Sequence, residues 1–373
     1  MRIGIDARWL SKPNPSGIGI YLKEILLRLN QKENENEYFL FSNKPFCTSA
    51  ELEEWGAHVH AEVIPGSIGS LWLLRELSAK IPAYHLDAFW GPEHVLPRGL
   101  KGVRKVLTVH DIALIIHPSW GKWYNALIQN TLARVSIQRA DVILADSRST
   151  KRDLITRLGV SPDKIHGVYP GRNEPVSFSS TEAADVLLAR GESFLKPYLL
   201  YVGTLEPRKN VMTIIRAFER LKREPEYVHY RLLLAGGLGW KYQRTLKAIE
   251  ESPYKQDILL LGYVSEKEKS ILLHYAKAFL FPSFYEGFGM PVVEAICAGI
   301  PVITARNSSL QEVAGPAESY VERADDVDLM VRQIHRVLGL TERERKERNA
   351  VSRKHVERFD WDRCADRIAG IFR

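Results

Sequence analysis

Short apolar runs alternate along this chain with longer segments in which apolar positions recur every three or four residues. "RIGIDAR" predicts a strand, and "GIGIYLKEILLRLNQ", with Ile20, Leu22, Ile25, Leu26 and Leu29 on one face, predicts a helix. "YFLFS", "DAFWGP", "KVLTVHD" and "DVILADS" predict further strands, with helical or loop segments between them. A polar zone near residues 171 to 186, "GRNEPVSFSSTEAADV", interrupts the alternation, which then restarts. "PYLLYVGTL", "YRLLLAGG", "DILLLGYV", "AFLFPS" and "PVITARN" are the later strands, and "VMTIIRAFERLKR" and "PVVEAICAG" two of the helices between them. Strand–helix–strand repetition implies parallel sheets covered by helices, so the expected fold class is α/β with two doubly wound halves. Ligands of such folds bind outside the carboxyl ends of the strands, and between two such halves the expected place is the cleft.

Three segments carry a different pattern. "GSLWLLRELSAKIPAYH" mixes Leu71, Trp72, Leu74 and Leu77 with Arg75 and Lys80, which favours core packing and leaves contact with a membrane or an acceptor as the other reading. "TERERKERNAVSRKHVERF" interleaves Arg and Lys with Glu at helical spacing, the pattern of a solvated helix with i,i+4 pairs. From about Phe359 the last segment reads as a helix with apolar Trp361, Ala365, Ile368, Ala369 and Phe372.

At 373 residues, with 45% hydrophobic and 26% charged, the chain has ordinary globular composition and enough length for two domains. No apolar run approaches the length of a membrane span and "MRIGIDARWL" enters a strand at once, so a cytoplasmic protein is expected. Cys47, Cys297 and Cys364 are scattered, which argues against a disulfide frame or a zinc site. The net charge of +7 calls for an anionic partner, and a phosphorylated small molecule, an anionic membrane surface or nucleic acid would each satisfy it.

The motifs narrow that choice. Gly17 and Gly19 stand between the first strand and the first helix, where backbone N–H groups can approach a phosphate. A dinucleotide fingerprint would need a third glycine where Leu22 stands, and the loop from Leu10 to Ser16 is too long for its tight turn, which disfavours a nicotinamide enzyme. In "VGTLEPRKN" Arg208 and Lys209 lie between a strand end and a helix, a pair suited to a diphosphate. "TVHDIALIIHP" puts His110 and Asp111 at the carboxyl end of a strand in the first half. In "FPSFYEGFGMPVVEAICAGIPVI" Glu286 precedes a turn made of Gly287, Phe288, Gly289 and Met290, and Glu294 follows in the first turns of a helix. One carboxylate accepts two hydroxyl hydrogen bonds, so two carboxylates beside a phosphate-binding pair point to a phosphorylated sugar. A glycosidase pair fits less well, because it would leave Arg208 and Lys209 without a task.

In this setting "EGFGMPVVE" resembles the E-x7-E signature of the retaining nucleotide-sugar glycosyltransferases of family four, which have the GT-B architecture. The resemblance extends through "SGIGIY", "HD" at 110 and 111, "ADSRSTKRDL", "VYPG", "YVGTLEPRKN", "LGYVS" and "FDWDRCADRI". Gln311, Arg172 and Asn173 depart from the usual pattern. The resemblance implies two Rossmann-like domains facing a central cleft. An acceptor-side domain would span 1–172 with the C-terminal helix from about 359–373, and a nucleotide-sugar domain 173–358. It further implies catalytic roles for His110, Arg208, Lys209 and Glu286, with Arg208 and Lys209 on the donor diphosphate, Glu286 on the sugar hydroxyls and His110 near the sugar. Gly17, Gly19, Gly287, Phe288, Gly289 and Met290 would cradle the donor, and Glu294 would bind its ribose. No metal and no cofactor beyond the nucleotide-sugar co-substrate are expected.

"SGIGIY" and "HDIALIIHP" look most like the mannosyl-transferring members, so the expected donor is GDP-mannose and the expected acceptor a saccharide, free or lipid-linked. No nucleic-acid partner is expected, and peripheral attachment at the inner face of a membrane is a further expectation. A UDP-sugar-dependent transferase, a nucleotide-sugar epimerase on the same architecture and a non-catalytic sugar-nucleotide-binding protein are the alternatives. Donor conversion without acceptor would identify the epimerase, and binding without turnover the non-catalytic protein.

Overall fold

The computed structural model describes residues 1–13, 17–31, 35–47, 55–121, 127, 129–191 and 196–372. The chain divides into two compact units, Met1–Gly171 with Phe359–Arg373, and Arg172–Arg358.

The first unit is built on a parallel sheet of seven strands: β1 (Arg2–Asp6), β2 (Glu37–Ser42), β3 (Val59–Val63), β4 (Ala88–Gly91), β5 (Arg104–Val109), β6 (Val142–Ala145) and β7 (Ile165–Gly167). They lie in the order β3-β2-β1-β4-β5-β6-β7, so the winding direction reverses between β1 and β4. Inner strands such as β4, with every residue buried, are apolar throughout because helices cover both faces of a parallel sheet. The edges differ. β3 is half exposed along its length and β7 spans three residues, and these are the two strands of this unit that the apolar pattern does not predict.

The helix Gly17–Gln31 buries Tyr21, Leu22, Ile25, Leu26 and Leu29, and the C-terminal helix Trp361–Phe372 packs beside it. Trp361 meets Tyr21 edge-on at 6.1 Å between ring centres, Phe372 meets Trp90 at 6.2 Å, and Arg28 Nε lies 2.9 Å from Asp362. The segment from Ser70 to Tyr84 is helical throughout, and Trp72, Leu73, Leu77 and Ile81 enter the core while Leu71 stays outside, half exposed. Trp72 also donates its indole N–H to Ile64 O at 2.7 Å, so the core reading of this segment holds on its Trp72 face.

The second unit carries six parallel strands: β8 (Tyr198–Val202), β9 (Arg231–Ala235), β10 (Ile258–Gly262), β11 (Ala278–Phe281), β12 (Val302–Ala305) and β13 (Ser319–Val321). Their order is β10-β9-β8-β11-β12-β13, with the reversal between β8 and β11. The helix Val211–Leu221 buries Val211, Ile214, Ile215, Phe218 and Leu221, the stripe that its sequence period requires. β13 is another three-residue edge strand without an apolar run to announce it.

The basic helix Glu342–Val356 begins with a capping box from Thr341 and Glu344 and carries the expected i,i+4 pairs Arg343–Glu347 and Lys346–Glu342. Its other side is docked: Arg348 and Ser352 reach the buried Glu318 at 2.7 and 2.6 Å, and Arg353 donates to Cys297 O at 2.7 Å. No helix among the described residues is long and apolar enough to cross a membrane.

Candidate active site

In the second unit the site residues gather at the carboxyl ends of β8 and β11, where the winding reverses. After β8 the chain makes a 3-10 turn at Pro207–Lys209 and enters the next helix through Asn210, held in the left-handed region at φ 56°. The Asn210 amide explains how that turn is held, because it donates to Pro282 O at 3.1 Å and Ala324 O at 2.6 Å and so ties three loops together. On the β11 side, Ser309 Oγ donates to Glu286 O at 3.0 Å and Phe288 O at 2.8 Å, and Glu286 N donates to Ser308 Oγ at 2.9 Å. Gly289 then takes φ 105° at the start of the helix Met290–Cys297, a conformation that disfavours a side chain.

These two loops bring four charges together. Arg208 Nε and Nη2 lie 3.0 and 2.9 Å from Glu206 Oε1, and Arg208 Nη1 donates at 2.9 Å both to Tyr285 O and to Glu286 Oε2. Lys209 Nζ lies 2.7 Å from Glu286 Oε1 and 5.1 Å from the centre of the Phe281 ring. Two cations are thus met by two carboxylates, and the cluster is electroneutral. The pair of cations expected from the sequence stands in an interlocked set, because charges this deeply buried are costly unless paired.

Burial and pairing compete at each member. Burial would raise the Glu286 carboxyl, but the charges of Arg208 and Lys209 outweigh it and hold Glu286 below the usual carboxylate value. Burial pushes Glu206 up against the opposing pull of Arg208 and Lys209, and it pushes Lys209 down against Glu286. Glu286 is therefore the firmly ionised carboxylate of the set.

Glu294 lies on the helix Met290–Cys297 and is buried, paired with Lys269 at 3.0 Å. Lys269 in turn holds Glu266 at 2.8 Å, and Asn173 also hydrogen-bonds Glu294. Burial raises the Glu294 carboxyl, with Lys269 opposing. Met290, the first residue of that helix, is partly exposed.

In the first unit Gly17 and Gly19 fall in the first turn of the helix Gly17–Gln31 rather than in the loop before it; Gly17 is exposed and Gly19 buried. The part of the expected loop at residues 14–16 lies outside the described residues. His110 follows β5 and is locked between two acceptors, with Nδ1 2.5 Å from Asp146 Oδ2 and Nε2 2.8 Å from Pro92 O. Two acceptors require two N–H donors, so the ring is an imidazolium. Burial disfavours that charge, yet Asp146 and Pro92 outweigh it and raise His110 to about 9. A ring held this way is a fixed cation and has no lone pair to act as a base. Asp111 accepts from Ala113 N at 2.8 Å and closes the turn that follows.

Glu206, Asp146, Lys269, Asn210 and the pair Ser308–Ser309 were not singled out in the sequence. Asp146 had a signal: β5 and β6 are neighbours, and each strand is followed by an ionisable residue at its carboxyl end. Glu206 sits inside a motif already noticed, but no spacing rule pairs it with Arg208. Ser308 and Ser309 reach Glu286 from more than twenty residues away, which only folding reveals.

A Glycosyltransferase Family 4 model matches residues 15–174 and a Glycosyl transferases group 1 model matches residues 191–354, so that between them they account for most of both units. The chain is a glycosyltransferase. It belongs to the family-four, group 1 type, and its two doubly wound units have the GT-B architecture. The O-antigen chain mannosyltransferase B of Escherichia coli is 29% identical over 81% of this chain and 76% of its own length. The serotype-specific mannosyltransferase WbdA of the same organism is 24% identical over 61% of this chain, a match that spans 28% of that longer protein. Among solved structures, HepE of Anabaena in complex with UDP-glucose superimposes with a TM-score of 0.75 at 17% identity, covering 99% of this chain and 98% of the other.

Proposed function

We propose that the protein transfers mannose from GDP-mannose to a saccharide acceptor, with retention of anomeric configuration and without a metal ion. The observation that carries this reading is the electroneutral cluster of Glu206, Arg208, Lys209 and Glu286, supported by the mannosyltransferases among the relatives. A diphosphate entering the cluster brings a surplus of negative charge that the two cations can answer only by giving up part of their contact with Glu206 and Glu286. That exchange frees the Glu286 carboxylate for sugar hydroxyls. As the bond from the anomeric carbon to the diphosphate oxygen breaks, charge grows on the leaving group, and Arg208 and Lys209 offset it. One such preorganised donor is worth on the order of 3 kcal/mol in the transition state.

In this reading the acceptor oxygen bonds to the anomeric carbon on the face that the diphosphate leaves, and its proton passes to a diphosphate oxygen. The His110 imidazolium of the first unit, fixed between Asp146 and Pro92 O, takes no proton. Glu294 binds the ribose hydroxyls, and the turn from Gly287 to Met290 borders the diphosphate. A second reading, a UDP-hexose donor, is favoured by the structural likeness to HepE with its bound UDP-glucose.

Thermal shift with GDP, UDP, ADP, GDP-mannose, UDP-glucose, UDP-N-acetylglucosamine and NAD, without added metal, tests the reading. A ligand at about 100 times its Kd stabilises by about 2.7 kcal/mol. A selective response to GDP compounds is expected; a response to UDP compounds alone transfers the assignment to the second reading, and silence from every sugar nucleotide refutes both.

A further inference from the structure

Lys269 is withdrawn from water between two carboxylates that belong to different helices. Its own helix, Glu266–Tyr275, starts with a capping box from Ser265 and Glu268 and is the crossover that leads from β10 past β9 and β8 to β11. One turn into that helix the Lys269 ammonium lies 2.8 Å from Glu266 Oε2 and 3.0 Å from Glu294 Oε2 on the helix Met290–Cys297. The two ends of this bridge differ in their need of it. The Glu266 side chain is 57% exposed and has water as a partner, whereas those of Lys269 and Glu294 are 12% and 10% exposed.

Buried ion pairs of this kind add little to stability compared with apolar side chains of the same size, because both charges lose their hydration. What the pair does set is the charge of Glu294. Burial alone favours the neutral carboxyl, and the groups that face Glu294 decide the outcome. They are Lys269 and Glu266 from the helix after β10, the Asn173 side chain from the start of the unit, and Cys297 on the helix of Glu294 itself, a thiol that burial holds protonated. Lys269 is the one cation of this group. Asn173 assists it through a hydrogen bond, and the Glu266 charge works against it.

The charge matters for a diol. An ionised carboxylate accepts from both hydroxyls, whereas a protonated one spends an oxygen on its own O–H. We propose that Lys269 is a positioning residue of the donor site, which keeps the Glu294 carboxylate charged and in place to accept both ribose hydroxyls. This inference rests on the reading of Glu294 as the ribose carboxylate. Its consequence is that selection of a ribonucleotide over a 2′-deoxynucleotide depends on a lysine that need not touch the nucleotide.

The experiment is calorimetric titration of the purified full chain with GDP and with 2′-deoxy-GDP from pH 8.5 down to pH 6. The two ligands share base and diphosphate, so the ratio of their affinities isolates the 2′-hydroxyl contact and cancels the titration of the diphosphate itself. In the wild type GDP is expected to bind about tenfold more tightly than its deoxy counterpart over this range. In Lys269→Met the buried carboxyl has lost its cation and takes up a proton at higher pH, so the ratio should fall toward one as pH drops. Lys269→Gln, also neutral, should do the same and stands in if the methionine variant does not fold. Lys269→Arg retains the cation and should keep the wild-type ratio at every pH, as should Glu266→Gln, in which Lys269 still holds Glu294. A ratio independent of pH in both neutral variants would overturn the proposal, since a pair that serves packing alone has no such signature. So would an arginine variant that loses the ratio as the methionine variant does. GDP binding with a ratio indifferent to Lys269 removes this inference and leaves the GDP-mannose reading standing. A wild type that does not distinguish the two ligands removes the ribose role of Glu294 as well. If the chain responds to UDP compounds alone, UDP and 2′-deoxy-UDP carry the same comparison, and the role of Lys269 is decided separately from the base of the donor.

Discussion

Lys209 Nζ lies 2.7 Å from Glu286 Oε1, and both side chains are almost completely withdrawn from solvent. This donor-site candidate is internally neutralised, with each cation resting on a carboxylate. Substitutions of Lys209 and of Glu286 should therefore act in opposite directions on nucleotide binding.

Replacing Glu286 by Gln removes one negative charge from the cluster and leaves a net positive charge facing a diphosphate. GDP affinity should hold or rise while turnover falls by about two orders of magnitude or more, because the sugar loses its carboxylate partner. Lys209→Ala should weaken GDP and lower kcat by on the order of 100- to 1,000-fold. Equal losses of GDP affinity in both variants, measured by titration calorimetry, would contradict the exchange of partners described above.

Glu206 touches Arg208 and not the expected ligand, so it is a positioning residue. In Glu206→Gln the guanidinium keeps Tyr285 O and Glu286 but loses its charged partner on the other side. The expected result is a rise in donor KM of about tenfold, with a smaller change in kcat, and partial recovery in Glu206→Asp. A variant with wild-type kinetics would show that the pair only stabilises the fold.

Glu294 should separate stability from binding. Burial raises its carboxyl above the ordinary 4.5, so the charged form is the disfavoured one in the folded protein. The sign is that of a group whose ionisation costs stability as pH rises through the unfolded value. Glu294→Gln should therefore leave Tm within a few degrees of the wild type at pH 7, since Lys269 retains Glu266. GDP affinity should nevertheless fall by about tenfold if the carboxylate binds ribose hydroxyls. Unchanged GDP affinity would take Glu294 out of the donor site.

His110 predicts a pH-dependent stability. Its folded value of about 9 exceeds the ordinary 6.5, so the stabilisation is fully present below pH 6.5 and is lost as pH rises through about 9. At about 1.4 kcal/mol per pH unit the maximum is about 3 kcal/mol. Asp146→Asn should remove most of it: wild type and variant should differ most in denaturant midpoint near pH 6 and converge near pH 10. A difference independent of pH would show that the Asp146 contact is an ordinary hydrogen bond without a charged partner.

Much of the fold was legible because buried parallel strands have to be apolar along their whole length. "KVLTVHD" and "AFLFPS" announce β5 and β11 for that reason, whereas β3, β7 and β13 are short or half-exposed edge strands whose burial demands little of their sequence. Arg208, Lys209, Glu286 and Glu294 were legible as candidates, since they stand beside turns at strand ends. Their mutual pairing was not legible, because Arg208 and Glu286 are far apart in the chain and meet only where β8 and β11 lie side by side.

By itself the sequence determined the two α/β halves, the family and the residue types available at the strand ends, because hydrophobic period and local motif act over a few residues. The tertiary structure decided which of those charges neutralise one another, that His110 is a locked cation, and that Lys269 reaches Glu294 from a separate helix. Each of these depends on strand order, which brings residues distant in sequence within hydrogen-bonding distance, and electrostatic pairing is decided by that distance and by burial.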